Sequence, residues 1–95
     1  MHVISRKAIR EFIKGHPDAE SSLNSWYREA RKAGWQNLAE VKEQYSHADL
    51  VGRYTVFNIK KNSYRLITRM RYRGQTIFII KILTHKQYDE GKWKA

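Results

Sequence analysis

His85 and Tyr88 stand three residues apart in LTHKQY, and Lys60 and Lys61 lie side by side in NIKKNS. Four arginines crowd into YRLITRMRYR at 64–73. Together these residue types suit metal-free chemistry on a phosphodiester. RNA carries its own nucleophile, the 2′-OH. Cleaving it takes a base for the 2′ proton, an acid for the leaving 5′ oxygen, and fixed cations for the charge that grows on phosphorus. An imidazole suits the proton transfers, because its charge changes near neutral pH. A guanidinium suits the charge, because its planar fork matches phosphate oxygens. Each residue alone has a plainer reading. A lone histidine at a strand end is usually surface, Tyr88 and Trp93 can simply pack, and lysines are common in turns. Their convergence on one basic segment gives weight to the chemical reading.

The elements that must hold these residues follow from periodicity. Side chains alternate across a strand. In 64–73 the even positions are Tyr64, Leu66, Thr68, Met70 and Tyr72, a mostly apolar set. The odd positions are Arg65, Ile67, Arg69, Arg71 and Arg73. Same-face neighbours on a strand are about 7 Å apart, close to the spacing of phosphates along an extended nucleic-acid strand. A solvated face normally mixes both signs of charge. Here residues 1–52 hold eight Lys or Arg against seven Asp or Glu, residues 53–88 hold nine against none, and residues 89–95 balance. Nearly all of the net charge of +10 therefore belongs to one segment. Such a segment favours an anionic partner.

Several function classes are excluded. The chain has no cysteine, so it has neither disulfides nor a thiolate metal site. His2, His16, His47 and His85 show no metal-ligand spacing. No Gly-rich phosphate loop or serine elbow is present. Asp89 and Glu90 are adjacent and cannot form a glycosidase-like pair. No metal or cofactor is expected. No apolar run approaches the roughly 18 residues of a membrane span, and the N-terminus lacks a secretory segment. The expectation is a soluble cytoplasmic protein with no membrane partner.

The 95 residues suit one domain, 1–95. MHVI is a short edge strand. Ser5 caps a helix carrying Ile9, Phe12 and Ile13, ended by Gly15. Pro17 opens a second helix, with Leu23, Trp26 and Ala30 at helical spacing and Gly34 as its C′ residue. Asn37 caps a third. YSHADLVGR reads as a connection. YTVFNIK, YRLITRMRYR and TIFIIKIL form an antiparallel meander with turns at KNS and Gly74-Gln75. The tail THKQYDEGKWKA reads as polar and aromatic. The class is α+β, with an N-terminal strand and two to three helices packed on one face of the meander.

TVFNIKKNSYRL, LTHKQYDEGKW and the order strand–helices–meander resemble the HigB toxins of the RelE/ParE superfamily, over essentially the whole chain. The resemblance implies a RelE-like fold and the toxin of a type II toxin–antitoxin pair. It implies a ribosome-dependent mRNA interferase, which cuts mRNA in the A site by 2′-OH attack and inhibits translation. It implies as partner a HigA-like antitoxin with a helix-turn-helix, the complex binding operator DNA. The arginine that follows tyrosine in the family's second meander strand falls on Arg65, which would stabilise the transition state. The basic residue after the last strand falls on His85, the acid/base, and the C-terminal tyrosine on Tyr88. Lys60 would assist, while Lys61, Arg69, Arg71 and Arg73 would grip mRNA or ribosomal RNA. The alternating lysines that RelE proteins carry before YRL are replaced here by Val56, Phe57 and Asn58. The rival reading is a non-catalytic RNA- or ribosome-binding module using the same face.

Overall fold

A computed structural model describes residues 1–94. The elements run β1 (His2–Ile4), α1 (Arg6–Gly15), a 3-10 turn (Pro17–Ala19), α2 (Glu20–Lys32), α3 (Leu38–Gln44), β2 (Asp49–Val51), β3 (Tyr54–Ile59), β4 (Tyr64–Arg71), β5 (Thr76–Thr84), α4 (His85–Glu90) and a final 3-10 turn (Lys92–Lys94). Local chemistry sets most of these bounds. Ser5 Oγ accepts from the Lys7 amide at 3.1 Å and starts α1. Pro17 opens the 3-10 turn, where its missing N–H leaves no bond unmade. Asn37 Oδ1 accepts from the Glu40 amide at 3.0 Å and starts α3. Gly34 follows Ala33, the C-cap of α2, and so takes the expected C′ position. Ala33 is extended and bonds back to Ala30 and Glu29, and Gly34 does not adopt the left-handed conformation.

The sheet has the order β1-β5-β4-β3-β2, with β1 parallel to β5 and every other pair antiparallel. This is an α+β, RelE-like arrangement. β2 was not foreseen in YSHADLVGR. Three residues are too few to display an alternation, and the turn that follows relies on Gly52 at φ +62°. The tail likewise holds an unforeseen helix, α4. Its signals were in the sequence: Thr84 and Gln87 form a reciprocal capping box, and Gly91 closes the helix at φ +76°.

The helices cover the even-numbered face of β4. Tyr64 and Leu66 join Ile9, Leu23, Trp26, Trp35 and Val41 in the main core, with Met70 and Tyr72 packed against it. Phe57 of β3, fully buried, is the aromatic centre. Trp26, Tyr45 and Trp35 surround it at ring-centroid distances of 5.3, 5.4 and 6.2 Å. Phe57→Ala would leave these three rings around a void that the sheet cannot collapse to fill. We expect a loss of about 3–5 kcal/mol and a fall in Tm of more than about 10 °C. Urea and thermal unfolding would measure it, and a shift under about 4 °C would contradict this description of the core.

Between β4 and β5 the register slips. Thr68 faces Ile79 and Ile67 faces Lys81, so Ile80 is an extra residue on β5. A bulge of this kind re-aims side chains at a sheet surface. It leaves Ile80 42% exposed.

Candidate nucleic-acid interface

The face away from α1–α3 carries the odd positions of β4, as the alternation requires. It is not a continuous basic ribbon. Ile67, in the middle of the row, is buried with Val56 beneath Trp93. Trp93 reaches this position because α4 folds back across the sheet. Its ring stacks on Tyr88 at 5.1 Å, and its Nε1 donates to the Tyr88 carbonyl at 3.0 Å. The clasp divides the face into an Arg65 end and an Arg69–Arg71 end.

At the first end, Arg65 lies opposite Asn58 on β3 and Leu83 on β5. Its Nη1 donates to the Asn62 and Tyr64 carbonyls at 3.0 and 3.2 Å. Its guanidinium carbon sits 5.4 Å from the centre of the Tyr88 ring, a cation–π distance. Turn carbonyls and an aromatic face thus fix the side chain without neutralising it. Among the described residues the acid–base contacts are Lys7–Glu11, Lys60–Asp18 and His85–Asp89, and none engages an arginine.

His85 opens α4 at the same end of the sheet, where its amide donates to the Ser63 carbonyl at 3.1 Å. Its Nδ1 lies 3.3 Å from Asp89 Oδ2, one helical turn on, and about half of each side chain is exposed. A proton held on Nδ1 against that carboxylate leaves Nε2 as the free nitrogen of the neutral ring. Burial raises the Tyr88 hydroxyl above its ordinary value. The Asp49 and Asp89 carboxylates push the same way, and Arg65 opposes them. Tyr88 therefore keeps its proton at neutral pH. Asp49 was missed in the sequence because it belongs to the unforeseen β2.

Lys60 occupies the β3–β4 turn at this end, but its ammonium is engaged. Nζ donates to Asp18 Oδ2 at 2.9 Å, and the Tyr64 hydroxyl donates to both oxygens of the same carboxylate at 2.7 Å. Asp18 is 42 residues away in sequence, so no local pattern announced this pairing. Lys61 follows in the same turn, exposed and, like Lys60, at positive φ. The structure brings Arg65, His85 and Tyr88 to one end and gives Lys60 to Asp18. It leaves Arg69, Arg71 and Arg73 exposed beyond the clasp. Among the described residues no three His, Cys, Asp or Glu side chains are grouped to hold a metal ion, and no helix is long and apolar enough to cross a membrane.

The hydrogen bond from Lys60, reinforced by that from Tyr64, holds the Asp18 carboxyl below its ordinary value of 3.8. A carboxylate with a depressed folded-state pKa adds stability above its unfolded value. It loses that stability as pH falls through the folded one. The melting difference between the wild type and Asp18→Asn should therefore be full at neutral pH and shrink below pH 3.8. Thermal melts across that range would measure it, and a difference that grows on acidification would contradict the assignment.

Three curated relatives match over 92 residues at 24% identity, covering 94% of this chain and 88% of the relative. They are the mRNA interferase toxin HigB of Escherichia coli K12 and the mRNA interferases HigB of Escherichia coli O157:H7 and Shigella flexneri. A family model for HigB toxins, described as the RelE-like toxic component of a toxin–antitoxin system, matches residues 19–91. That span runs from the turn before α2 to the glycine that closes α4, and so takes in Arg65, His85, Tyr88 and the clasp's helix. The chain belongs to the HigB toxin family.

Proposed function

We infer that this chain is an endoribonuclease that cuts mRNA on the ribosome, at the Arg65 end of the sheet. The observation that carries the reading is an unneutralised guanidinium fixed beside Tyr88, with the His85–Asp89 pair at the same strand ends. The names of the relatives, mRNA interferases, support the substrate class.

In this reading His85 Nε2 takes the 2′ proton as the 2′ oxygen attacks phosphorus, and Asp89 orients the ring. Arg65 binds the non-bridging oxygens, where negative charge grows. The bond to the 5′ oxygen breaks, and that oxygen leaves with a proton from the Tyr88 hydroxyl. The products are a 2′,3′-cyclic phosphate and a 5′-hydroxyl, without a metal. Lys61, Arg69, Arg71 and Arg73 hold flanking phosphates of mRNA or ribosomal RNA. Lys60, held by Asp18, fixes the turn that carries Asn62 and so the Arg65 side chain.

The openness of the site explains a need for the ribosome. His85 and Asp89 are about half exposed, so little here could orient a free RNA strand. Orientation can account for roughly 7–11 kcal/mol of a barrier, and a ribosomal A site would supply it. The same reading gives the chain a HigA-like, operator-binding antitoxin and a place in the cytoplasm.

A defined mRNA, offered free and on programmed ribosomes, tests this. The expected result is cutting within the A-site codon only when ribosomes are present. Tight ribosome binding without cutting would replace this reading with that of a binding module.

A further inference from the structure

Beyond the clasp the sheet face is bare. Three large apolar side chains are exposed among the described residues, and two of them, Ile4 at 38% and Ile80 at 42%, belong to this half. Phe78, on the same strand as Ile80, lies between Ile4 on β1 and Arg69 on β4, paired with each. Arg69, Met70, Arg71, Phe78 and Ile80 line an open depression of about 570 Å³, and no carboxylate lines it. Apolar side chains gathered beside unpaired cations are costly to leave in water and mark an interaction surface.

We propose that this depression docks the antitoxin, through a segment that presents apolar side chains to Phe78 and Ile80 and carboxylates to Arg69 and Arg71. Charge complementarity selects an acidic occupant, because the depression has two guanidinium groups and no acid. The apolar floor selects a protein. Phosphates would satisfy the arginines, but RNA would leave two branched aliphatic side chains uncovered, since bases stack on flat aromatic or guanidinium planes. The other half of the face is covered in a comparable way by the chain itself. There Trp93 closes over Ile67, and the Tyr88 ring lies against Arg65. The antitoxin would complete across the second half what the C-terminal clasp does across the first. It would also take Arg69 and Arg71 from RNA, so that docking and the RNA grip assigned above exclude each other. The proposal goes beyond the ribonuclease reading and shares with it only the antitoxin partner and the competing use of these arginines.

The test uses the full chain and the purified antitoxin encoded with it. Ile80→Asn and Ile4→Asn remove apolar contact without adding charge, and Ile80→Val restores it. Calorimetry should show antitoxin affinity weakened about tenfold or more in each Asn variant and recovered with Val. Ribosome-dependent cleavage by the same variants should stay within twofold of wild type. Thermal melts would confirm that each variant is folded. An affinity loss below tenfold in both Asn variants would overturn the proposal. Impaired cleavage with antitoxin affinity intact would also overturn it, assigning the surface to RNA. A wild-type chain that never cleaves would count against the ribonuclease reading alone, and the affinity comparison would still decide the docking surface.

Discussion

His85→Ala is expected to slow cleavage of ribosome-bound mRNA by about 10²–10⁴, the range over which positioned acid–base groups act. The substitution removes the imidazole that opens α4 at the Arg65 end. His85 makes its link to the β3–β4 turn through its amide, which alanine keeps. Its side chain is about half exposed and contacts Asp89 at the surface, where such pairs contribute little. Tm should therefore barely move. Ribosome binding should also persist, because the phosphate contacts belong to arginines and Lys61. Single-turnover rates on pre-formed ribosome complexes, beside an equilibrium binding measurement, would separate the two. Full-speed cleavage by a folded His85→Ala chain would remove His85 from the chemistry.

Arg65→Ala should lower the same rate by about 10²–10³, the usual loss when one preorganised donor to a developing charge is removed. The guanidinium is held by the Asn62 and Tyr64 carbonyls and by the Tyr88 ring, so its position is set before RNA arrives. Arg65→Lys keeps the charge and loses the planar fork. It should recover only part of the rate, because an ammonium cannot reproduce two parallel bonds to phosphate oxygens. Arg69→Ala lies beyond the clasp. It should weaken binding and flatten its salt dependence, with the rate on saturated complexes retained. Equal rate losses for Arg65→Ala and Arg69→Ala at saturation would contradict the division of the face by Trp93.

The two-residue period of 64–73 correctly placed apolar side chains toward the helices and arginines on the other face, because that alternation is a local property of any strand. The caps at Ser5 and Asn37 were legible for the same reason. What escaped depends on distance in sequence or on very short elements. Ile67 was simply one of the odd positions in the sequence, and only the return of the tail shows it to be the seat of Trp93. Asp18 and Asp49 lie outside the acid-free segment 53–88, yet the fold delivers one to Lys60 and the other near Tyr88. α4 was readable in principle from Thr84, Gln87 and Gly91, but six residues give too little periodicity to stand out. The grouping of Arg65, His85 and Tyr88 came from residue types and family pattern. Their shared sheet end follows from the β4–β5 register.

The most direct test of the chemistry is a programmed ribosome whose A-site codon carries a single 2′-deoxynucleotide at the scissile position. The expected result is no cut at that bond, with the all-ribose message cut there to leave a 2′,3′-cyclic phosphate and a 5′-hydroxyl. Equal cutting of the deoxy-substituted message would show that the 2′-OH is not the nucleophile, and would contradict the assignment of Arg65, His85 and Tyr88 to its activation.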